Sequence, residues 1–271
     1  MATISVPTMT ADMLSGTPRA NALDRWIFVA MAVWFIVITL TGFIPDSLLK
    51  IEMVRSGLRP PFPLVLHMHA VLMGSFLLFL LSQTWLVATG RIATHKKLGP
   101  VGAILAIALV VVGFILVPTI YRSVWEAANF GSPKAAEAMR AFLPRLDNIM
   151  LLQIRIGILF PIILALGLLA RSRDSGFHKR MMIIAPATAL PAAFDRITWI
   201  PHTIPASPLS PDLYVLFAIA PMFIWDVLRN RRVHRAYLVF LGVSLVPTLF
   251  VHLAWDSSWW HEMAPRIMGL S

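Results

Sequence analysis

Seven apolar stretches, each near or above the roughly 17–25 residues that a helix needs to cross a bilayer, dominate this chain of 271 residues. They run over about 25–45, 63–89, 99–121, 149–170, 180–200, 212–228 and 236–255. Few folds accommodate that pattern. In hydrocarbon every backbone N–H and C=O must find a partner within the protein, which favours helices that satisfy their own backbone. The expectation is an all-α polytopic membrane bundle of about seven transmembrane helices. It occupies 25–255, with 1–24 as a mobile N-terminal tail and 256–271 as a Trp-rich outer C-terminal segment. The composition agrees. Only 13% of residues are charged, against about 25% in soluble domains, and mean hydropathy is +0.77.

The placement of cations gives an orientation. Arg91, Lys96 and Lys97 fall between the second and third stretches, and Arg171, Arg173, Lys179 and Arg180 between the fourth and fifth. Arg229, Arg231, Arg232 and Arg235 fall between the sixth and seventh, and Arg19 and Arg25 precede the first. All these positions lie on one side of a seven-helix count, so the positive-inside rule puts the N-terminus in the cytoplasm and the C-terminus outside. The net charge of +10 therefore reports topology and not a phosphate-binding face, which argues against nucleic acid as a partner and for the lipid bilayer. The first 24 residues lack the apolar core of a cleavable signal peptide. With no cysteine, disulfides and thiolate metal sites are excluded.

Between the third and fourth stretches, "SPKAAEAMRAFLPRL" reads as a short amphipathic helix on the outer surface, and Trp255, Trp259 and Trp260 as part of an outer aromatic belt. Pro161, Pro186, Pro191, Pro221 and Pro247 predict kinks within spans, a common feature of membrane helices that marks no transport site by itself. Asp226, at the inner end of the sixth span, is expected to pair with nearby arginines. The cytoplasmic turns place His95, His178 and His234 each directly before a cation. That neighbour repels a metal ion, so these three read as interfacial residues.

Functional candidates concentrate in one layer. His67 and His69 lie a few residues inside the outer end of the second span, Arg155 inside the fourth, Asp195 and Arg196 inside the fifth, and His252 near the outer end of the seventh. At 1.5 Å per residue all fall within roughly 10 Å of the outer boundary. Ionisable groups at such depth normally face the bundle interior and pair, and Asp195 with Arg155 is the expected structural ion pair. His67 and His69 point about 200° apart on a helix that is polar on two sides, as a centrally packed helix would be. As metal ligands the candidates are His67, His69, Asp195 and His252, a set suited to a transition metal. As haem ligands they are His67 or His69 opposite His202 or His252. The other readings are ordinary buried histidines satisfied by Asp195, backbone carbonyls or water, and a proton or ion pathway.

"HMHAVLMGSFLLFLLSQTWLVATGRIATHKKLGPVG", "HKRMMIIAPATALPAAFDR" and "DVLRNRRVHRAYL" together resemble an uncharacterised family of bacterial multi-pass inner-membrane proteins. The matching positions are His67, His69, Gln83, Arg91, His95, His178, Lys179, Arg180, Arg196, Asp226 and His234. The resemblance implies a multi-pass location in the bacterial inner membrane and no particular activity. A looser similarity is to transmembrane cytochromes of the b561 kind, which implies haem b and histidines near both ends of paired helices. Here Gln83 stands about fourteen residues after His69 where a second histidine belongs. Without a Walker-type loop, GxSxG or HExxH, the sequence does not decide whether the chain is an enzyme. Two function classes follow: a metal- or haem-binding membrane protein with a redox role, and a non-catalytic accessory or assembly subunit.

Overall fold

The computed structural model describes residues 12–15, 17 and 19–270, so residues 1–11, 16 and 18 of the expected tail lie outside the described residues. Those described are helical, with no strand. A 3-10 turn at Met13–Ser15 precedes α1 (Ala22–Arg55), α2 (Leu64–Ala88), α3 (Ile92–Phe130), α4 (Pro133–Ala170) and α5 (Ser175–Ala187). Then come α6 (Pro191–Phe194), α7 (Leu209–Asn230), α8 (Arg235–Ala254) and α9 (Ser258–Ile267). Six of these, α1 to α4 with α7 and α8, are long and apolar enough to cross a membrane.

The fifth apolar stretch forms two short helices. Pro191 has no N–H to donate and its ring opposes the carbonyl of Ala187, so α5 cannot continue through it. The chain tightens into i−3 bonds instead, from Thr188 N to Ala185 O (3.2 Å), Ala189 N to Pro186 O (3.1 Å) and Leu190 N to Ala187 O (3.2 Å), before α6 resumes. This broken pair is the core of the bundle. Met181, Ile183, Ile184, Ala185 and Ala187 are fully buried, because α5 and α6 between them pack on α1, α4, α7 and α8. Close approach is secured by glycine. A Cβ on Gly42 would sit 2.1 Å from the Ala193 carbonyl oxygen, and one on Gly167 2.8 Å from the Met181 Cβ.

The expectation of a central second helix is therefore corrected. α2 packs chiefly on α1 and α3, reaches α4 through a Phe76–Phe160 edge contact, and leaves Leu64, Val71 and Leu78 exposed. The separate surface helix before the fourth span is also corrected. α3 runs on to Phe130 and α4 begins at Pro133, so "SPKAAEAMRAFLPRL" is the first part of α4. Proline at its start needs no intrahelical donor, and Arg140 Nε ties back to the Ala128 carbonyl across the hairpin (2.9 Å).

Ion pairs locate the two ends. At one, Arg180 on α5 meets Asp226 on α7 and Asp12, and Arg229 on α7 meets Asp24 on α1. At the other, Arg196 after α6 meets Asp46 on α1 (3.1 Å). Asp24 and Asp46 are separated by about 33 Å of helix, so α5–α6 runs the length of the bundle. The first is called the basic end below, the second the Trp end.

Candidate functional site

At the Trp end the structure joins some of the expected residues and separates others. Arg155, buried on α4, pairs with Asp212 in the first turn of α7, not with Asp195. The same carboxylate holds His252 Nε2 on α8 at 2.6 Å. Asp195 caps α6, which packs on α1 and α7, and its carboxylate has no partner among the described residues. Its neighbour Arg196 turns to Asp46 and lies over the Phe43 ring. His67 is exposed on the peripheral α2 beside Phe62. His69 is half-buried there with Nδ1 unpartnered, and His202 rests against the Ile197 carbonyl (2.9 Å). Among the described residues no three His, Asp or Glu side chains converge as metal ligands.

A second network lies beside this one. Asp147 on α4 accepts from the Tyr121 hydroxyl (2.7 Å) and meets His261 Nδ1 on α9 (2.8 Å). His261 Nε2 faces Asp256 (3.2 Å), which also bonds Asn148 through its backbone N–H (3.0 Å). Trp260 is buried beneath, its indole N–H on the Asp147 carbonyl (2.8 Å). It is thus a core residue, not a belt residue, while Trp259 stays exposed. Burial alone would lower the His261 pKa, but the hydrogen bonds and charges of Asp147 and Asp256 outweigh it and raise it. Asp212, Asp147 and His261 were not singled out in the sequence. Asp212 could have been, since it is the one acid where the sixth span begins.

The basic end holds a different arrangement. Arg180 is fully buried and every N–H of its guanidinium is used. Nε and one amine bond both oxygens of Asp226 (2.5 and 2.8 Å). The remaining protons go to the two oxygens of Asp12 (2.9 and 3.0 Å) and to the Gly176 carbonyl (2.9 Å). Burial works against the Asp12 charge, yet Arg180 holds its carboxyl well below the usual carboxylate range. Asn230 donates to Asp226 (2.6 Å). Asp226 thus finds its arginine on another helix, and Arg229, close to it in sequence, goes to Asp24.

Beside this hub the three interfacial histidines part company. His234 caps α8, its Nδ1 accepting from Ala236 N (3.1 Å), and burial and Arg180 push its pKa down. His95 on α3 and His178 on α5 instead face each other, with ring centroids 6.5 Å apart. His178 Nδ1 donates to the Gly167 carbonyl (2.9 Å), which leaves the Nε2 lone pair free. The buried His95 Nδ1 has no partner, and neither does either end of the buried Gln83 amide. Of the two facing imidazoles neither has a carboxylate partner, and that of His95 keeps a buried nitrogen unbonded.

No family model matches the chain, and neither a curated protein nor a solved structure is significantly similar to it. What stands is a helical protein with several apolar helices consistent with a membrane protein, without a family identification.

Proposed function

We propose that this chain is a seven-pass protein of the bacterial inner membrane that binds a transition-metal centre, carried as haem, between His95 and His178 and uses it for electron transfer. One observation carries the reading: two facing imidazoles with no carboxylate partner, one of them with a buried, unpartnered nitrogen. Leaving such groups empty costs roughly 1–3 kcal/mol each, so the fold is better balanced with an occupant. A free imidazole nitrogen is a ligand for metal, and the carbonyl on His178 Nδ1 is the usual outer-shell support for one. A bare ion needs three or four protein ligands, and only two histidines meet here. A haem iron needs two, because the macrocycle supplies the rest. Lys96 and Arg171 at the same end suit the propionates.

An absorption spectrum of the purified protein, oxidised and then reduced, tests this. The expected result is about one haem per chain, lost in His95→Ala and in His178→Ala and retained in His67→Ala and His69→Ala. A colourless, metal-free protein overturns the reading. Loss in the His67 and His69 variants alone moves the cofactor to the outer layer. The orientation proposed, N-terminus in the cytoplasm, is supported by the cations gathered at one end. A reporter fused after Ser271 is expected to be active only outside the cytoplasm, and cytoplasmic activity reverses the orientation.

A further inference from the structure

The basic end contains a cavity that neither the Arg180 hub nor the histidine pair uses. It measures about 170 Å³, roughly five water volumes, and is lined by Leu14, Ser15, Arg25, Phe28, Val87 and Lys179 among others, none of them acidic. Asp12 and Asp24, the nearest acids in sequence, are both engaged, with Arg180 and with Arg229. Lys179 donates to the Leu14 carbonyl (3.1 Å), which leaves two ammonium protons, and lies 5.8 Å from the centre of the Phe28 ring. Arg25 is exposed and makes no hydrogen bond or ion pair with a described residue. Two cations therefore flank a small, mostly apolar space that no acid lines.

An apolar groove begins one helical turn further along α1, at Val29. A larger hollow, about 640 Å³, opens outward between α1, α2 and α3 and is lined by Val29, Val33, Leu78, Leu81, Trp85 and Leu98 among others. The Ser82 hydroxyl beside it is turned back to the Phe79 carbonyl (2.7 Å) and offers little to a polar guest. On α1, Arg25, Val29 and Val33 recur at every fourth residue, so cation and groove wall share one face of the helix. On α2 the lining extends from Leu86 to Leu78, about 12 Å along the axis. Trp26 packs edge-on against Trp85, ring centroids 5.1 Å apart, and indoles favour the headgroup level.

We propose that cavity and groove together hold one anionic phospholipid, its phosphate between Arg25 and Lys179 and an acyl chain along Val29, Val33, Leu78 and Trp85. Charge selects the headgroup, because two cations face the space and no acid does. The groove selects a lipid over free phosphate, because it supplies apolar surface in line with the cation. The site is independent of the histidine pair and of any cofactor there.

Native mass spectrometry of the full chain in neutral detergent tests this, with phosphatidylglycerol, phosphatidylcholine and inorganic phosphate added in turn. The expected result is one phosphatidylglycerol retained per chain, in preference to phosphatidylcholine and undisturbed by millimolar phosphate. Arg25→Gln, at an exposed position, should weaken retention roughly fivefold, and Val33→Trp should weaken it by filling the groove. Circular dichroism confirms that both variants fold. Equal retention of the two lipids, or no change in Arg25→Gln, overturns the proposal. Displacement of lipid by inorganic phosphate also overturns it, since the site would then read phosphate alone.

Discussion

His178 and Arg180 lie two residues apart on the buried helix α5, and their surroundings differ in kind. Arg180 has five donors and five accepting contacts, contributed by three separate parts of the chain. His178 has one hydrogen bond and, 6.5 Å away, a second imidazole with an unpartnered nitrogen. A buried charge is tolerated only when its partners are complete, and at Arg180 they are. A neutral imidazole can be left incomplete at smaller cost, and that is what a binding position requires. The same helix therefore carries a clamp and an open valence side by side.

The largest expected effect comes from breaking the clamp. Asp226→Ala leaves Arg180 buried with two of its five hydrogen bonds gone and should destabilise the protein by about 3–5 kcal/mol, read from unfolding in detergent. Replacing Arg180 and Asp226 together by Met and Leu should cost less than Asp226→Ala alone. If the double variant is the weaker one, the hub is not a closed pair. At the Trp end, Asp212→Asn leaves Arg155 buried without a carboxylate. It should cost about 2–3 kcal/mol, and a cycle with Arg155→Met should show coupling, whereas a cycle between Arg155 and Asp195 should show none.

His178→Ala sharpens the contrast from the other side. Measured on cofactor-free protein it should cost only about 1 kcal/mol, the worth of one hydrogen bond, while abolishing the chromophore. A loss as large as that of Asp226→Ala would make His178 a structural residue. The smallest effect is expected at His261. Its pKa is raised in the folded protein, so its contribution is complete below the unfolded value near 6.5 and is lost as pH rises through the folded value. Docking of α9, followed through Trp260 fluorescence, should weaken over that window by up to about 1 kcal/mol, and His261→Gln should flatten the profile.

The long apolar helices were legible because oil-like runs of that length have few other fates. Cations at alternate connections also identified the basic end. What escaped was packing order. Exposure of α2 and burial of α5 do not follow from hydropathy, since lipid and protein interior select the same residues. For that reason His67 and His69 drew attention on a peripheral helix, while His95 and His178 were set aside for the lysines beside them. Pairing escaped for a related reason. Asp195 and Arg155 share a depth, but depth does not fix azimuth, and α7 brings Asp212 to Arg155 first. The link from Asp147 to His261 spans 114 residues and requires α9 to fold back under α4, which no local pattern announces.

Asp12 reaches Arg180 across 168 residues of sequence, and that distance has a meaning in time. A chain is made from its N-terminus, so Asp12 has been synthesised well before Arg180 appears, and Asp226 follows only two helices later. During that interval α5 carries a cation destined for a site with no exposure to solvent. Asp12, just before the turn at Met13–Ser15, is the carboxylate partner of Arg180 made ahead of it. Asp12 is thus suited to escort Arg180 until α7 arrives and completes the set, a provisional partner that the finished protein keeps.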